Sequence, residues 1–192
     1  MVRPMASKSE VNFDKIARFI QEVSSLKNIP RSGWLKAGIK NPESVAEHSM
    51  VSSIISFILA FLETSNFDLA AKAAFIALVH DLPEARTTDL HKLARKYVSV
   101  ESEKALEDQL ELLPKKISLE IRKALNEVKV FVEDADKLEL LFQANEYAKS
   151  LPEIMEYVRN VQLKSESAKR IREALQKLEK SWWVYFEEDG DD

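Results

Sequence analysis

The stretch SVAEHSMVSSIISFILAFL, residues 44–62, decides the fold. Ser44 and Glu47 stand at S-x-x-E spacing. In that arrangement the serine hydroxyl accepts from the amide three residues on, and the glutamate reaches back to the serine amide. A helix is therefore expected to begin at Val45. Val51, Ile55, Ile58 and Leu62 follow at helical spacing and read as its inner face. His48 lies three residues before Val51, so it points inward from the first turns. It is one of only three histidines in the chain.

The next helix starts near Phe67 or Asp68 in FDLAAKAAFIALVHD, residues 67–81. His80 follows Ala77 and Ile76 at i+3 and i+4, so it also faces inward, near the C-terminal end; Pro83 then interrupts regular continuation. Antiparallel neighbours bring the start of one helix beside the end of the other, which sets His48 close to His80 and Asp81. A lone inward histidine is ordinarily a core residue. Two of them with an adjacent carboxylate form a set suited to a divalent transition metal. FVEDADKLEL, residues 131–140, supplies Asp134 and Asp136 as candidates for a fourth ligand. A carboxylate on a partly buried face is costly unless paired or coordinated. Asp136, flanked by Val132, Leu140 and Gln143, is preferred; Asp134 is open to the reading of a solvated acidic patch.

The remaining segments are helical too. NFDKIARFIQEVSSL (12–26) carries Phe13, Ile16, Phe19, Ile20 and Val23 at helical spacing, and a loop with two glycines and two prolines follows over 27–42. Residues 99–114 read as an exposed amphipathic helix. Residues 118–150 read as one long helix or two with a break near 127–130, and 167–186 as an amphipathic helix with an aromatic end. No period-two strand pattern stands out. The expected fold is all-α, an irregular multi-helix bundle forming one domain over 12–186, between a flexible arm (1–11) and an acidic tail (187–192).

Composition narrows the function. Hydrophobic residues make up 45% and charged residues 31%, which suits a globular chain. The formal net charge of −4 argues against a nucleic-acid backbone or an anionic membrane as main partner. The absence of cysteine excludes disulfides and thiolate metal sites and fits a cytoplasmic location. The apolar run IISFILAFL (54–62) is too short to span a membrane and ends at Glu63, and MVRPMASKSE lacks the apolar stretch of a signal peptide.

Three stretches together, IPRSGWLKAGIKNPESVAEHS, ALVHDLPEARTTDL and DADKLELLFQANEY, resemble the 5′-deoxynucleotidase branch of the HD-domain metal-dependent phosphohydrolases, including its eukaryotic and archaeal relatives. The resemblance covers roughly residues 12–150. It implies one divalent metal held by His48, His80, Asp81 and Asp136, with cobalt or manganese expected and magnesium, zinc, nickel or iron as alternatives. It implies hydrolysis of deoxyribonucleoside 5′-monophosphates to deoxynucleoside and phosphate, by a homodimer. Arg31 matches the family's phosphate-contacting arginine, whose alternative is a solvent-facing loop residue. Trp34 matches a tryptophan near the sugar, where an indole leaves no room for a 2′-hydroxyl; the alternative is a core anchor for the loop. Glu84 matches the catalytic glutamate, a proton donor to the leaving group. Asp89 matches an aspartate that holds the sugar 3′-hydroxyl or orients the glutamate, against a simple helix-cap role.

Thr88 stands where the family often has glycine, and Ser32 and Gly33 separate the arginine from the tryptophan. His91 matches no family ligand and reads as a loop or surface residue. Trp182 and Trp183 read as closing a core or a subunit interface. Two other functions stay open: a phosphohydrolase for another small phosphate ester or a signalling nucleotide, and a non-catalytic, metal-stabilised scaffold. Arg31, Glu84 and Asp89 beside four ligands speak against the scaffold.

Overall fold

The helix marked by the S-x-x-E spacing begins at Val45. In the computed structural model, which describes residues 11–178 and 183–184, Ser44 Oγ accepts from the Glu47 amide at 3.2 Å and Glu47 Oε2 accepts from the Ser44 amide at 2.6 Å. In chain order the helices are α1 (Phe13–Ser25), α2 (Ser32–Lys36), α3 (Val45–Thr64), α4 (Phe67–Val79), α5 (Glu84–Thr87), α6 (Ser102–Leu110), α7 (Lys115–Glu127), α8 (Lys129–Ala148), α9 (Met155–Val158) and α10 (Glu166–Leu175). The class is all-α, as expected. Among the described residues the only strand-like pairing is an isolated bridge between Pro30 and Ser44.

The centre is built from α3, α4 and α8, and here one expectation is corrected. The buried face of α3 is Val45, His48, Ser49, Ser52, Ser53, Ser56, Leu59 and Ala60. Val51, Ile58 and Leu62, read as inner, are 36%, 42% and 61% exposed, and Ile55 is half-buried. At 100° per residue the true face lies about a third of a turn from the expected one. The reason is steric: serine and alanine let backbones approach, and α4 answers with buried Ala70, Ala73 and Ala77. Buried hydroxyls on such a face need partners, and Ser49 Oγ donates to the Val45 carbonyl at 2.8 Å. The larger apolar residues of α3 point outward. A second departure follows. By length and composition alone α3 is apolar enough to cross a membrane, although its inner face packs in the bundle and carries the fully buried His48.

The region 118–150 is two helices. They meet at buried Val128, where φ −109° and ψ 8° leave helical geometry, and α7 begins earlier than expected, after Pro114. The helix expected over 167–186 ends at Leu175. Trp183 is 53% exposed, so it closes no core within the chain. Trp182, residues 1–10 of the expected arm and the acidic tail lie outside the described residues.

Asp134 is no solvated patch. It is fully buried and accepts from the amides of Lys164 (2.9 Å) and Ser165 (2.6 Å) and from the Ser165 hydroxyl (2.7 Å). It therefore ties the segment just before α10 to α8, while Glu63 Oε1 accepts from the Ser167 amide in the first turn of α10 at 2.8 Å. Asp134→Ala is expected to cost about 1–3 kcal/mol, read by urea denaturation, because it removes the acceptor of two part-buried amides and the Ser165 hydroxyl.

Candidate active site

Two loop segments are fastened together before the site forms. The Arg31 amide donates to the Glu43 carbonyl at 2.9 Å, and the Val45 amide to the Ile29 carbonyl at 2.8 Å. The first amide of α2, at Ser32, donates to Asp89 Oδ2 at 2.5 Å, and the Ser32 hydroxyl accepts from the His91 amide at 2.9 Å. Asp89 is thus a helix cap, for α2 rather than for its own segment, and it also lines the cavity described below. Thr88 beside it has φ 60° and ψ 162°, a conformation that favours glycine. Such backbone stores about 1–3 kcal/mol of strain.

His48, His80, Asp81 and Asp136 come from the start of α3, the end of α4 and the middle of α8, and they converge. His48 Nε2 lies 3.1 Å from Asp136 Oδ1 and 3.7 Å from Asp81 Oδ2. His80 Nε2 lies 3.2 Å from Asp81 Oδ2 and 4.0 Å from Asp136 Oδ1. Each histidine has its other nitrogen engaged. His48 Nδ1 is 2.5 Å from Glu139 Oε2, and His80 Nδ1 is 2.6 Å from the Ala77 carbonyl. Since both partners accept, both rings are assigned as Nδ1–H, which turns each Nε2 toward the centre, where a metal would take the place of a proton. His80 Nε2 is buried without a hydrogen-bond partner. Donor atoms of His48, His80 and Asp136 lie within 4.8 Å of one another, and Asp81 completes a two-imidazole, two-carboxylate set. That donor chemistry fits a divalent transition metal. Asp134, two residues from Asp136, faces away to α10.

The electrostatics also favour a cation. Burial would lower the pKa of His48, but its hydrogen bonds to Asp136 and Glu139 outweigh burial and push it up to about 10. Burial would raise Asp136, yet His48, His80 and Arg31 hold it well below the usual carboxylate range. The Arg31 guanidinium sits 3.3 Å from Asp81 Oδ2 and 3.8 Å from Asp136 Oδ1. Burial opposes its charge, and Asp81, Asp136, Asp89 and Glu84 more than compensate.

Arg31, Trp34, Asp81, Glu84, Asp89 and Asp136 all line one cavity of about 220 Å³. Arg31 is therefore no solvent-facing loop residue. Glu84 is 6% exposed, and its Oε2 has no partner. Burial, then the charges of Asp81 and Asp89, push its carboxyl up to about 8, so it holds a proton at neutral pH. Trp34 is the core anchor of its loop and also stands in the cavity wall. It is only 1% exposed, with Nε1 donating to Glu43 Oε1 at 2.9 Å and its ring against Tyr147 and Tyr157, both at 5.3 Å. His91, expected as a loop or surface residue, lies in a loop and is half-buried in the cavity wall.

Sequence reasoning missed three participants. Glu139 orients His48, Glu43 anchors Trp34, and Tyr157 covers the cavity from α9. Glu139 carried a signal, since it sits among leucines on a helix that had to be buried. Glu43 and Tyr157 carried none. Replacing Glu139 by Gln should weaken manganese or cobalt binding about 10–100-fold in calorimetric titration, because the acceptor that fixes the His48 ring loses its charge.

Comparison with known proteins identifies the family. The model of the HD domain family matches residues 23–179. The 5′-deoxynucleotidase hdd1 of Schizosaccharomyces pombe is 33% identical over 146 residues, covering 69% of this chain and 72% of that protein. The 5′-deoxynucleotidase HDDC2 of Homo sapiens is 27% identical over 158 residues, covering 74% and 76%. Among solved structures, a structural-genomics crystal structure is 47% identical with a TM-score of 0.80, covering 88% of this chain and 98% of that one. A protein from Archaeoglobus fulgidus is 39% identical with a TM-score of 0.66, covering 88% and 99%. With an all-helical bundle, two histidines and two aspartates meeting at its centre, and a family match across most of its length, the chain belongs to the HD-domain family.

Proposed function

We propose that this chain is a metal-dependent phosphohydrolase that converts deoxyribonucleoside 5′-monophosphates to deoxynucleoside and phosphate. The observation that carries the proposal is the convergence of four donor side chains beside the Arg31 guanidinium, in one cavity with the buried Glu84 carboxyl. The names of the relatives in yeast and human supply the substrate class. A divalent ion held by His48, His80, Asp81 and Asp136, cobalt or manganese by preference, would supply a Lewis acid and lower the pKa of water.

The chain's own residues do the rest. Asp81 and Asp136 hold the Arg31 guanidinium beside the metal ligands, where its remaining N–H groups can donate to a phosphate. Glu84 gives its proton to the departing 5′-oxygen. Only its protonated form is a donor, so this contribution is present below about pH 8 and is lost as pH rises through that value. Trp34 stands as a rigid wall against a 2′-hydroxyl, its ring fixed by Glu43 and two tyrosines. Lys92 and Arg95 also line the cavity, which favours testing esters with more than one phosphate as a second substrate class.

The test is a phosphate-release screen of matched ribo- and deoxyribonucleoside monophosphates across several divalent metals. Deoxynucleotides should turn over at least about tenfold faster than ribonucleotides, and Glu84→Gln should lower kcat by about 10²–10⁴. Equal rates on AMP and dAMP would remove the substrate assignment. Equal rates for wild type and Glu84→Gln would remove the acid.

The working unit is proposed to be a homodimer joined through α3. Met50, Val51, Ile54, Ile58, Phe61 and Leu62 are exposed on its outer side, a larger apolar run than a monomer ordinarily leaves in water. Sedimentation should give twice the mass of the chain for wild type and the single mass for Ile54→Lys/Leu62→Lys. A monomeric wild type would dismiss this interface.

A further inference from the structure

Gly33 lies inside α2, where glycine costs about 1 kcal/mol relative to alanine. No turn requires it, because its φ is not positive. What requires it is Tyr157. A Cβ on residue 33 would lie 2.3 Å from the Tyr157 hydroxyl oxygen and 3.1 Å from its Cζ. The phenol thus rests directly on the α2 backbone, between Arg31 and Trp34 in sequence, with its ring tilted 48° against the indole.

The hydroxyl held there has no hydrogen-bond partner among the described residues. Among the described residues lining the cavity, Tyr157 is the one with a phenol or alcohol hydroxyl. Burial, and then Asp89, raise its pKa, so the phenol stays protonated and remains a donor. Asp89 is close by with one carboxylate oxygen occupied: Oδ2 accepts from the Ser32 amide, and Oδ1 has no such partner.

We infer that Tyr157 binds substrate, its hydroxyl meeting the 3′-hydroxyl of the sugar opposite Asp89. This rests on the function proposed above. With the phosphate against Arg31, only an ester oxygen and one methylene separate it from the sugar ring. The ring therefore lies against the neighbours of Arg31, which are Gly33 and Trp34, and Tyr157 covers both. A sugar hydroxyl both donates and accepts. Asp89 Oδ1 and the Tyr157 O–H are the acceptor and the donor that match it. Of the other donors on the wall, Arg31, Lys92 and Arg95 carry charge suited to phosphate, and Glu84 is the donor assigned to the 5′-oxygen.

The test measures kcat/KM for dAMP and for 2′,3′-dideoxy-AMP, which lacks the 3′-hydroxyl, in wild type, Tyr157→Phe and Gly33→Ala. The expected result is a fall of about five- to tenfold in the dAMP-to-dideoxy ratio for Tyr157→Phe, the size of one net hydrogen bond. Gly33→Ala, whose Cβ displaces the phenol, should move the ratio in the same direction. If wild type prefers dAMP and Tyr157→Phe keeps the ratio within about twofold, the inference about Tyr157 is overturned while the proposed function stands. If wild type releases phosphate from neither compound, the proposed function fails and takes this inference with it.

Discussion

The hydrogen bond between His48 and Glu139 governs the centre of the molecule. Both side chains are sealed from water, at 0% and 2% exposure. A charge or a strong polar group in such a place is tolerated only with a partner, and removing either one leaves the other stranded. The pair joins α3 to α8 and fixes the rotation of the imidazole. That rotation turns Nε2 toward Asp81 and Asp136. Behind it runs a polar line through apolar surroundings. Burial, then Glu139, push Glu43 up to about 7, and Glu43 in turn holds the Trp34 indole. The wall of the cavity and the orientation of a metal-facing histidine are therefore parts of one buried network. Such networks stiffen a core when every member is satisfied.

Bringing His48 to His80 sets a second constraint. Their ring centroids are 5.6 Å apart, so α3 and α4 must run close together where they cross. Serine on one helix and alanine on the other allow this; isoleucine and phenylalanine would force the helices apart. The bulky residues of α3 are consequently displaced to its outer side. The exposed apolar face and the compact polar centre are two results of the same packing problem.

This explains what was legible in the sequence and what was not. The start of α3 could be read because the capping box is local, and the convergence of His48 with His80 followed from antiparallel neighbours. The phase of α3 could not be read from hydrophobicity, because here size rather than polarity selects the inner face. Asp134 and Asp136 are about 200° apart on α8, so they cannot both face the centre. Sequence could not say which of them did, because the partners of Asp134 lie at Lys164 and Ser165. The roles of Arg31, Glu84 and Asp89 came from resemblance, since nothing in their spacing alone distinguishes them from surface charges. Tyr157 was hidden because its contact with Gly33 crosses more than 120 positions of chain.

The short helix α2 shows how these parts depend on one another. Five residues cannot sustain a helix alone, since nucleation costs more than so few bonds return. It persists because Asp89 caps its first amide, Trp34 anchors it in the core and Tyr157 lies across Gly33. Arg31 immediately precedes it, so the aim of the guanidinium depends on the same three contacts. The strain at Thr88 falls where the loop bearing Asp89 meets this helix. Glycine would relax the backbone there but would also open more conformations to the loop. The Ser32 amide on Asp89 and the His91 amide on the Ser32 hydroxyl tie this loop to the start of α2, so Asp89 is held between that helix and the wall of the cavity.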